Sequence, residues 1–307
     1  MPDQPLISVI ILSFNRLRLL LESIESVRAQ TYTEWELIIV DDGSTDGTVD
    51  AIRNINDRRI NVLALQHIGL LGVLRNAGAA AAKGKWLAYL DSDDLWLADK
   101  LKKQLDRVTE EKRRWNYGKS QLIDKDGNII GGKDIGKLIG GWVAKEVINT
   151  EIDFSMSSIM IEKELFDKLG GYSADPRLFH REDIEFALRL ALNAEASVVE
   201  DTVALIRVHP ERSSNFLDHH FERSAELYRF CLDFHLTDKT HRKIATRRMA
   251  HHLTEAGVDR LFEGKVKKGV SQLWSGVKNG DRVLHIFSAL KRGLRKQLRR
   301  RSLENAL

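Results

Sequence analysis

The sequence predicts an α/β protein built on a mostly parallel sheet, with a helical carboxyl-terminal extension. Three observations carry that expectation. β-branched runs alternate with helix-forming stretches through about the first hundred residues, in the order β-α-β-α-β-α-β. Two of the apolar runs, Leu37-Ile38-Ile39-Val40 and Leu87-Ala88-Tyr89-Leu90, stop abruptly in carboxylates. From Phe216 onward the chain turns wholly helical in character.

Ile7 to Leu12 is a compact β-branched run and reads as a buried strand. Ser13-Phe14-Asn15 ends it, with Ser13 or Asn15 placed to cap the helix that follows. Leu17, Leu20, Leu21, Ile24 and Val27 then recur at helical spacing, to about Gln30. Glu36 to Val40 is the second strand and runs into Asp41-Asp42-Gly43. A short helix from Thr48 to Asn54 and a third strand from Ile60 to Leu65 follow. Leu70 to Ala82 favours helix, and Lys83-Gly84-Lys85 closes it with Gly84 as a left-handed cap. Trp86 to Leu90 is the fourth strand, ending in Asp91-Ser92-Asp93-Asp94.

In a parallel sheet the carboxyl ends of the strands share one edge, where open α/β sheets bind ligands. Asp41, Asp42, Asp91 and Asp93 therefore converge although they are far apart in sequence. Like charges at such range raise one another's pKa unless a cation neutralises them. The cluster points to a divalent metal carrying a phosphorylated ligand. The plain alternative is a solvated strand-to-helix turn capped by Asp. Asp94 is read that way, as the cap of a helix beginning near Leu97.

Lys100 to Arg114 is a charged amphipathic helix, and Tyr117, Leu122 and Ile123 mark a strand before the hairpin-type turn Asp126-Gly127-Asn128. Ile129-Ile130-Gly131-Gly132 and Ile135 to Trp142 read as glycine-rich and irregular, as an acceptor loop is. Ser155 to Ile161 forms a strand and Glu162 to Leu169 a helix, ended by Gly170-Gly171. His180-Arg181-Glu182-Asp183 opens another helix, with acids in its first turn. A strand from Val198 to Val203 precedes Arg207-Val208-His209-Pro210. Helices are expected over Phe221–Phe234, Thr240–Ala256 and Val258–Ser275. His219-His220 and His251-His252, on polar helical stretches without acids at ligand spacing, read as surface.

Ser-Val-Ile-Ile-Leu-Ser-Phe-Asn-Arg at 8–16, Val-Asp-Asp-Gly-Ser-Thr-Asp-Gly-Thr at 40–48, Arg-Asn-Ala-Gly at 75–78 and Asp-Ser-Asp-Asp at 91–94 resemble the family 2 glycosyltransferases. The match is ordered and spaced as in that family over about the first hundred residues. The resemblance implies a GT-A fold: a Rossmann-like nucleotide-sugar half over about 1–100 and an acceptor half over about 101–215, with 216–307 beyond it. It implies Mn²⁺ or Mg²⁺ held by Asp93, with Asp91 near the ribose or a metal-bound water. Ser13, Asp41 and Asp42 then flank the nucleotide, and a carboxylate there favours a uridine donor. Arg75 reaches the diphosphate or the base. Asp183 supplies the catalytic base, Glu182 contacts the acceptor or orients the site, and His209 completes the metal's ligands or contacts the diphosphate. The Ser213-Ser214 loop folds over the donor.

Composition bounds the rest. Of 307 residues 43% are hydrophobic, 30% charged, and the single Cys231 excludes an internal disulfide. Ile7 to Leu12 is too short for a signal peptide or a membrane span, so a cytoplasmic protein, soluble or peripheral, is expected. Leu284, Phe287, Leu290, Leu294 and Leu298 recur at three- and four-residue intervals, among Lys291, Arg292, Arg295, Lys296, Arg299 and Arg300. Such a basic amphipathic helix suits an anionic membrane leaflet, and a lipid-linked saccharide acceptor fits it. Two other classes compete. A nucleotidyltransferase needs a glycine-rich phosphate loop, which Leu12-Ser13-Phe14-Asn15 is not. A nucleic-acid-binding protein using the basic tail leaves the Asp clusters without a role.

Overall fold

The computed structural model describes residues 5–135, 137–152, 155–209, 220–281 and 283–304, with the side chains of 131–135, 283–284 and 296–304 outside the description. The expected alternation is present. β1 (Ile7–Ser13), α1 (Leu17–Arg28), β2 (Trp35–Asp41), α2 (Thr48–Arg53), β3 (Ile60–Ala64), α3 (Leu71–Ala81) and β4 (Trp86–Asp91) follow in order. β5 (Leu95–Trp96), α4 (Lys100–Glu110), β6 (Trp115–Ile123), β7 (Ile129–Ile135), α5 (Ala144–Asn149), β8 (Ile159–Glu162), α6 (Lys163–Lys168), α7 (Glu182–Asn193) and β9 (Ser197–Arg207) come next. The helices α8 (His220–Phe234), α9 (Lys239–Phe262), α10 (Val266–Lys278) and α11 (Val283–Glu304) complete the described chain.

One sheet runs β3-β2-β1-β4-β8-β6-β9-β5, with β7 added against β6. Its first four strands are mutually parallel, while β8 is antiparallel to both β4 and β6. This mixed sheet, parallel through its first half, matches the arrangement that the family resemblance implies. The chain falls into two units, residues 1–176 with 182–215, and 177–181 with 216–307. In the first, Val9, Ile11, Leu37, Ile39 and Leu90 face Leu20, Ile24 and Val27 of α1 and Leu101, Leu105 and Val108 of α4. On the opposite face α3 comes so close that a Cβ on Gly78 would sit 2.6 Å from Ile10 Cγ2.

Several expectations are corrected. Neither Ser13 nor Asn15 caps α1: Asp46, from the loop after β2, accepts the Leu17 amide at 3.0 Å. Gly84 has no left-handed backbone. It is small because a Cβ there would meet Leu6 O at 2.6 Å and Ser8 N at 2.7 Å, where the chain crosses β1. The Ile129 to Trp142 stretch is not wholly irregular, since Ile129 and Ile130 pair with Ile123 and Leu122 across the hairpin. Met156 to Ser158 is a 3₁₀ turn, so the strand begins only at Ile159. The helix over Ala144–Asn149 had no periodic signal long enough to read.

In the second unit the expected break at Gly257 is absent; α9 runs through it. A Cβ on Gly257 would lie 2.8 Å from the Gly269 carbonyl, and one on Gly276 2.9 Å from the Ala250 carbonyl. These glycines let α9 and α10 approach closely. His251 and His252 are not surface residues either. His252 is buried and stacks on Tyr228 at 5.6 Å between centroids, and His251 is half-buried. His219, Ser213 and Ser214 lie outside the described residues.

Lys100 is the unexpected core residue. Its Nζ donates to Gln104 Oε1 at 2.5 Å and stands 4.0 Å from the Trp96 ring centroid. Gln104 Nε2 in turn donates to Asn116 Oδ1 and the Ser158 carbonyl. Burial pushes the Lys100 ammonium well below its ordinary 10.5. The unfolded chain then binds the extra proton, so wild-type stability rises with pH up to the unfolded value. Urea titrations between pH 7 and 10 should show the stability of Lys100→Met, measured relative to wild type, falling as pH rises. A pH-independent difference would sink this account of the buried lysine.

Candidate active site

The register of the central strands builds the site. Ser13 pairs with Asp41 across β1 and β2, and Leu12 pairs with Asp91 across β1 and β4. The strand ends therefore stand side by side on one edge. Asp41 is buried, and its Oδ1 accepts the Ser44 amide at 2.9 Å. Its Oδ2 and the neighbouring Ser13 Oγ are both buried without a hydrogen-bond partner. Buried polar atoms left unpaired are costly, and their position facing the strand ends marks where a ligand would satisfy them.

Asp42 uses its carboxylate to shape the wall. Its oxygens accept the Ile68 amide at 2.7 Å and the Gly69 amide at 3.0 Å, and His67 Nδ1 lies 2.9 Å from Oδ2. His67 stacks against Phe14 with centroids 4.3 Å apart, and Phe14 is exposed. An aromatic pair beside an anchored carboxylate offers a flat apolar face on which a planar ring can stack. His67 carried no signal of this in sequence, and Phe14 only its place within the 8–16 motif.

Beyond β4 the chain turns tightly, with the Asp94 amide donating to the Asp91 carbonyl at 3.1 Å. Asp94 is no helix cap. Its Oδ1 accepts the Arg207 amide at 2.9 Å and its Oδ2 accepts Ser157 Oγ at 2.6 Å, all buried. Burial, then the charges of Asp91 and Asp93, push its carboxyl well above the usual carboxylate range. The helix after this turn begins at Lys100, and the Asp99 at its N-cap makes no side-chain capping bond.

Asp93 Oδ2 receives two groups: the Arg16 guanidinium and His209 Nε2, the latter at 2.9 Å. Arg207 supports the same turn, donating from Nε to the Asp93 carbonyl at 2.9 Å and from Nη2 to Glu22 at 2.7 Å. The chemistry of this set fits a divalent cation. A carboxylate oxygen and an imidazole nitrogen converge, and a guanidinium already stands where positive charge is favoured. Arg16, Ser157 and Arg207 were not singled out from the sequence. Only Arg16 had a readable signal, its place at the end of the 8–16 motif.

Arg75 and Glu182 meet each other. Arg75 Nη1 donates to Glu182 Oε1 at 2.6 Å, with both side chains buried. Burial by itself lowers the Arg75 pKa, but Tyr172 and the charges of Glu182, Asp91 and Asp183 beside it outweigh that and the net shift is upward. Tyr172 feels Arg75, Asp183, Glu182 and Asp91 in turn, so these groups share one electrostatic neighbourhood. In the first turn of α7, Glu185 is clasped by Arg189 Nε at 2.5 Å and Nη2 at 2.8 Å. Asp183 is half-buried and its Oδ1 accepts the Ile184 amide at 2.8 Å.

The sequence profile described as Glycosyl transferase family 2 matches residues 8–186. A putative teichuronic acid biosynthesis glycosyltransferase, TuaG, of Bacillus subtilis is 40% identical over 129 residues, 41% of this chain and 51% of that protein. The Escherichia coli UDP-Glc:alpha-D-GlcNAc-diphosphoundecaprenol beta-1,3-glucosyltransferase WfgD is 35% identical, covering 42% and 51%. The chain thus spans about half the length of the curated relatives it matches. Among solved structures, S. aureus TarS in complex with UDP-GlcNAc superposes with a TM-score of 0.68 at 16% identity, over 93% of this chain and 90% of that one. The mannosyltransferase PcManGT of Pyrobaculum calidifontis, in complex with GDP-Man and Mn2+, gives 0.58 at 16% identity, over 95% and 81%. At that identity these two attest the fold. The profile match spans more than half of the chain and takes in every site residue discussed except Arg189, Arg207 and His209. The chain belongs to glycosyl transferase family 2.

Proposed function

We propose that the protein is an inverting, metal-dependent glycosyltransferase using a nucleotide-sugar donor, a UDP-sugar in particular. The acceptor is a saccharide or lipid-linked saccharide in cell-surface polysaccharide synthesis. The observation that carries this reading is the pair of unsatisfied buried atoms, Ser13 Oγ and Asp41 Oδ2, beside the Asp91–Asp93 turn. A nucleoside bound there supplies their missing partners, with Phe14 and His67 against its base and Asp91 toward the ribose. Asp93 and His209 are the residues to hold Mn²⁺ or Mg²⁺. The cation's contribution when bound is Lewis-acid neutralisation of charge on the departing diphosphate. The names of TuaG and WfgD support a bacterial envelope polymer and an undecaprenol-linked acceptor.

The transfer balances on Asp183. An acceptor hydroxyl oxygen attacks the anomeric carbon, the bond from that carbon to the diphosphate breaks, and the hydroxyl proton passes to the Asp183 carboxylate. Its two acidic neighbours in the α7 turn are held for other work, Glu182 by Arg75 and Glu185 by Arg189. Glu182 and Arg75 thereby act as positioning residues, locking the first turn of α7 against α3 so that the base does not drift.

The second unit supports peripheral attachment to the inner face of the membrane. No helix among the described residues is long and apolar enough to cross one. On α11, Ala289 is fully buried while Phe287 is 66% and Leu294 50% exposed, beside exposed Lys291, Arg292 and Arg295. On α10, Val266, Val270 and Trp274 form an exposed apolar stripe flanked by Lys267 and Lys278, with Trp274 71% exposed. Apolar side chains among basic ones suit an anionic lipid surface.

Three outcomes test this. Asp183→Asn should keep donor affinity and lose about 10²-fold or more of transfer; normal turnover would remove the base. Asp93→Ala should abolish the Mn²⁺-dependent part of UDP binding in calorimetry, and unchanged affinity with Mn²⁺ present would refute the metal assignment. The protein should sediment with phosphatidylglycerol vesicles but not with phosphatidylcholine vesicles, and Trp274→Ser with Phe287→Ser should weaken that binding. Equal sedimentation with both lipids would refute the membrane surface.

A further inference from the structure

The second unit gathers ligating side chains of its own. His251 on α9, Asp281 in the turn after α10 and His285 on α11 offer one ligand atom each, all within 4.8 Å of one another; no other such trio occurs among the described residues. His251 Nδ1 and His285 Nδ1 are 3.0 Å apart, and His285 Nδ1 is 3.0 Å from Asp281 Oδ1. The acid is placed by backbone geometry. Gly280 takes φ +102°, its amide donates to the Val277 carbonyl at 3.0 Å, and the Asp281 amide donates to the Gly276 carbonyl at 3.1 Å. That is a Schellman closure of α10, which fixes where the next residue stands. His251 is half-buried on α9, so the site is partly screened from solvent.

We propose that His251, Asp281 and His285 form a binding site for a late first-row divalent cation, Zn²⁺ in type, which pins α11 to α9. Two imidazole nitrogens and one carboxylate oxygen suit Zn²⁺, whereas Asp93 and His209 joined by a nucleotide's phosphate oxygens make the oxygen-dominated set that suits Mg²⁺ or Mn²⁺. Donor atoms around a tetrahedral zinc lie roughly 3.3 Å apart given its bond lengths. Two of the three separations here are already close to that. The imidazoles are stacked, 4.3 Å between centroids and 14° between planes, so a shared ion needs one ring to turn about χ2. That torsion is broad and soft. Three protein donors leave the fourth position to water.

Equilibrium dialysis of the tag-free full chain against Zn²⁺ alone, with Co²⁺ as an absorbing probe, tests the site. Asp93→Ala, which lacks the cation site of the first unit, should still bind one equivalent, show the strong visible band of tetrahedral Co²⁺, and unfold at a higher temperature with Zn²⁺ present. His285→Ala and the milder His251→Gln, each with wild-type circular dichroism, should lose about tenfold or more in Zn²⁺ affinity. Wild-type Zn²⁺ affinity in the two histidine variants would overturn the site. So would Zn²⁺ binding lost in Asp93→Ala but kept in His285→Ala, or no Zn²⁺ binding by wild type at micromolar concentration.

Discussion

Crowding of carboxylates at the carboxyl edge of the sheet is the constraint that the first unit answers to. Asp41, Asp42, Asp91, Asp93, Asp94 and Glu182 are gathered there, five of them buried. Left alone, such a cluster would drive its members to take up protons or the chain to unfold. The fold supplies a different answer at each acid. Asp42 is met by loop amides, Asp93 by Arg16 and His209, and Glu182 by Arg75. Asp94 stands apart: it is met by a serine hydroxyl and a backbone amide, and is driven toward its neutral form. Asp41 alone keeps a buried oxygen without a hydrogen bond, and it is that incomplete answer that gives the edge its chemistry.

Much of this was legible because parallel-strand physics is simple. Strands that end in acids must place those acids together, whatever lies between them in sequence. The convergence of Asp41 with Asp91 follows from that once β2 and β4 both pair with β1; the spatial order β3-β2-β1-β4 does not. What was not legible is how like residues divide their labour. Asp91, Asp93 and Asp94 look equivalent in sequence, yet Asp94 is a buried bracket between Ser157 and Arg207, residues 63 and 113 positions away. Long-range partners of that kind leave no periodic trace.

Glycine was the other blind spot. Gly84 and Gly257 were read through local conformation, as a cap and as a break. Each is explained by what passes close to it, the β1 backbone in one case and α10 in the other. A histidine pair read as surface from its polar helical setting proved to sit half-buried and buried on a helix, because the buried face of α9 is polar along part of its length.

The glycines of α9 and α10 have one more consequence. An ordinary amphipathic helix turns its bulky side chains inward, whereas α10 is built inside-out: Gly269 and Gly276 face protein, and Val266, Val270 and Trp274 face away from it. Full burial of a large apolar side chain is worth about 1.5–3 kcal/mol. Folding of the isolated unit therefore leaves several kcal/mol of hydrophobic free energy unrealised along that one helix, held in reserve for whatever surface the helix meets next.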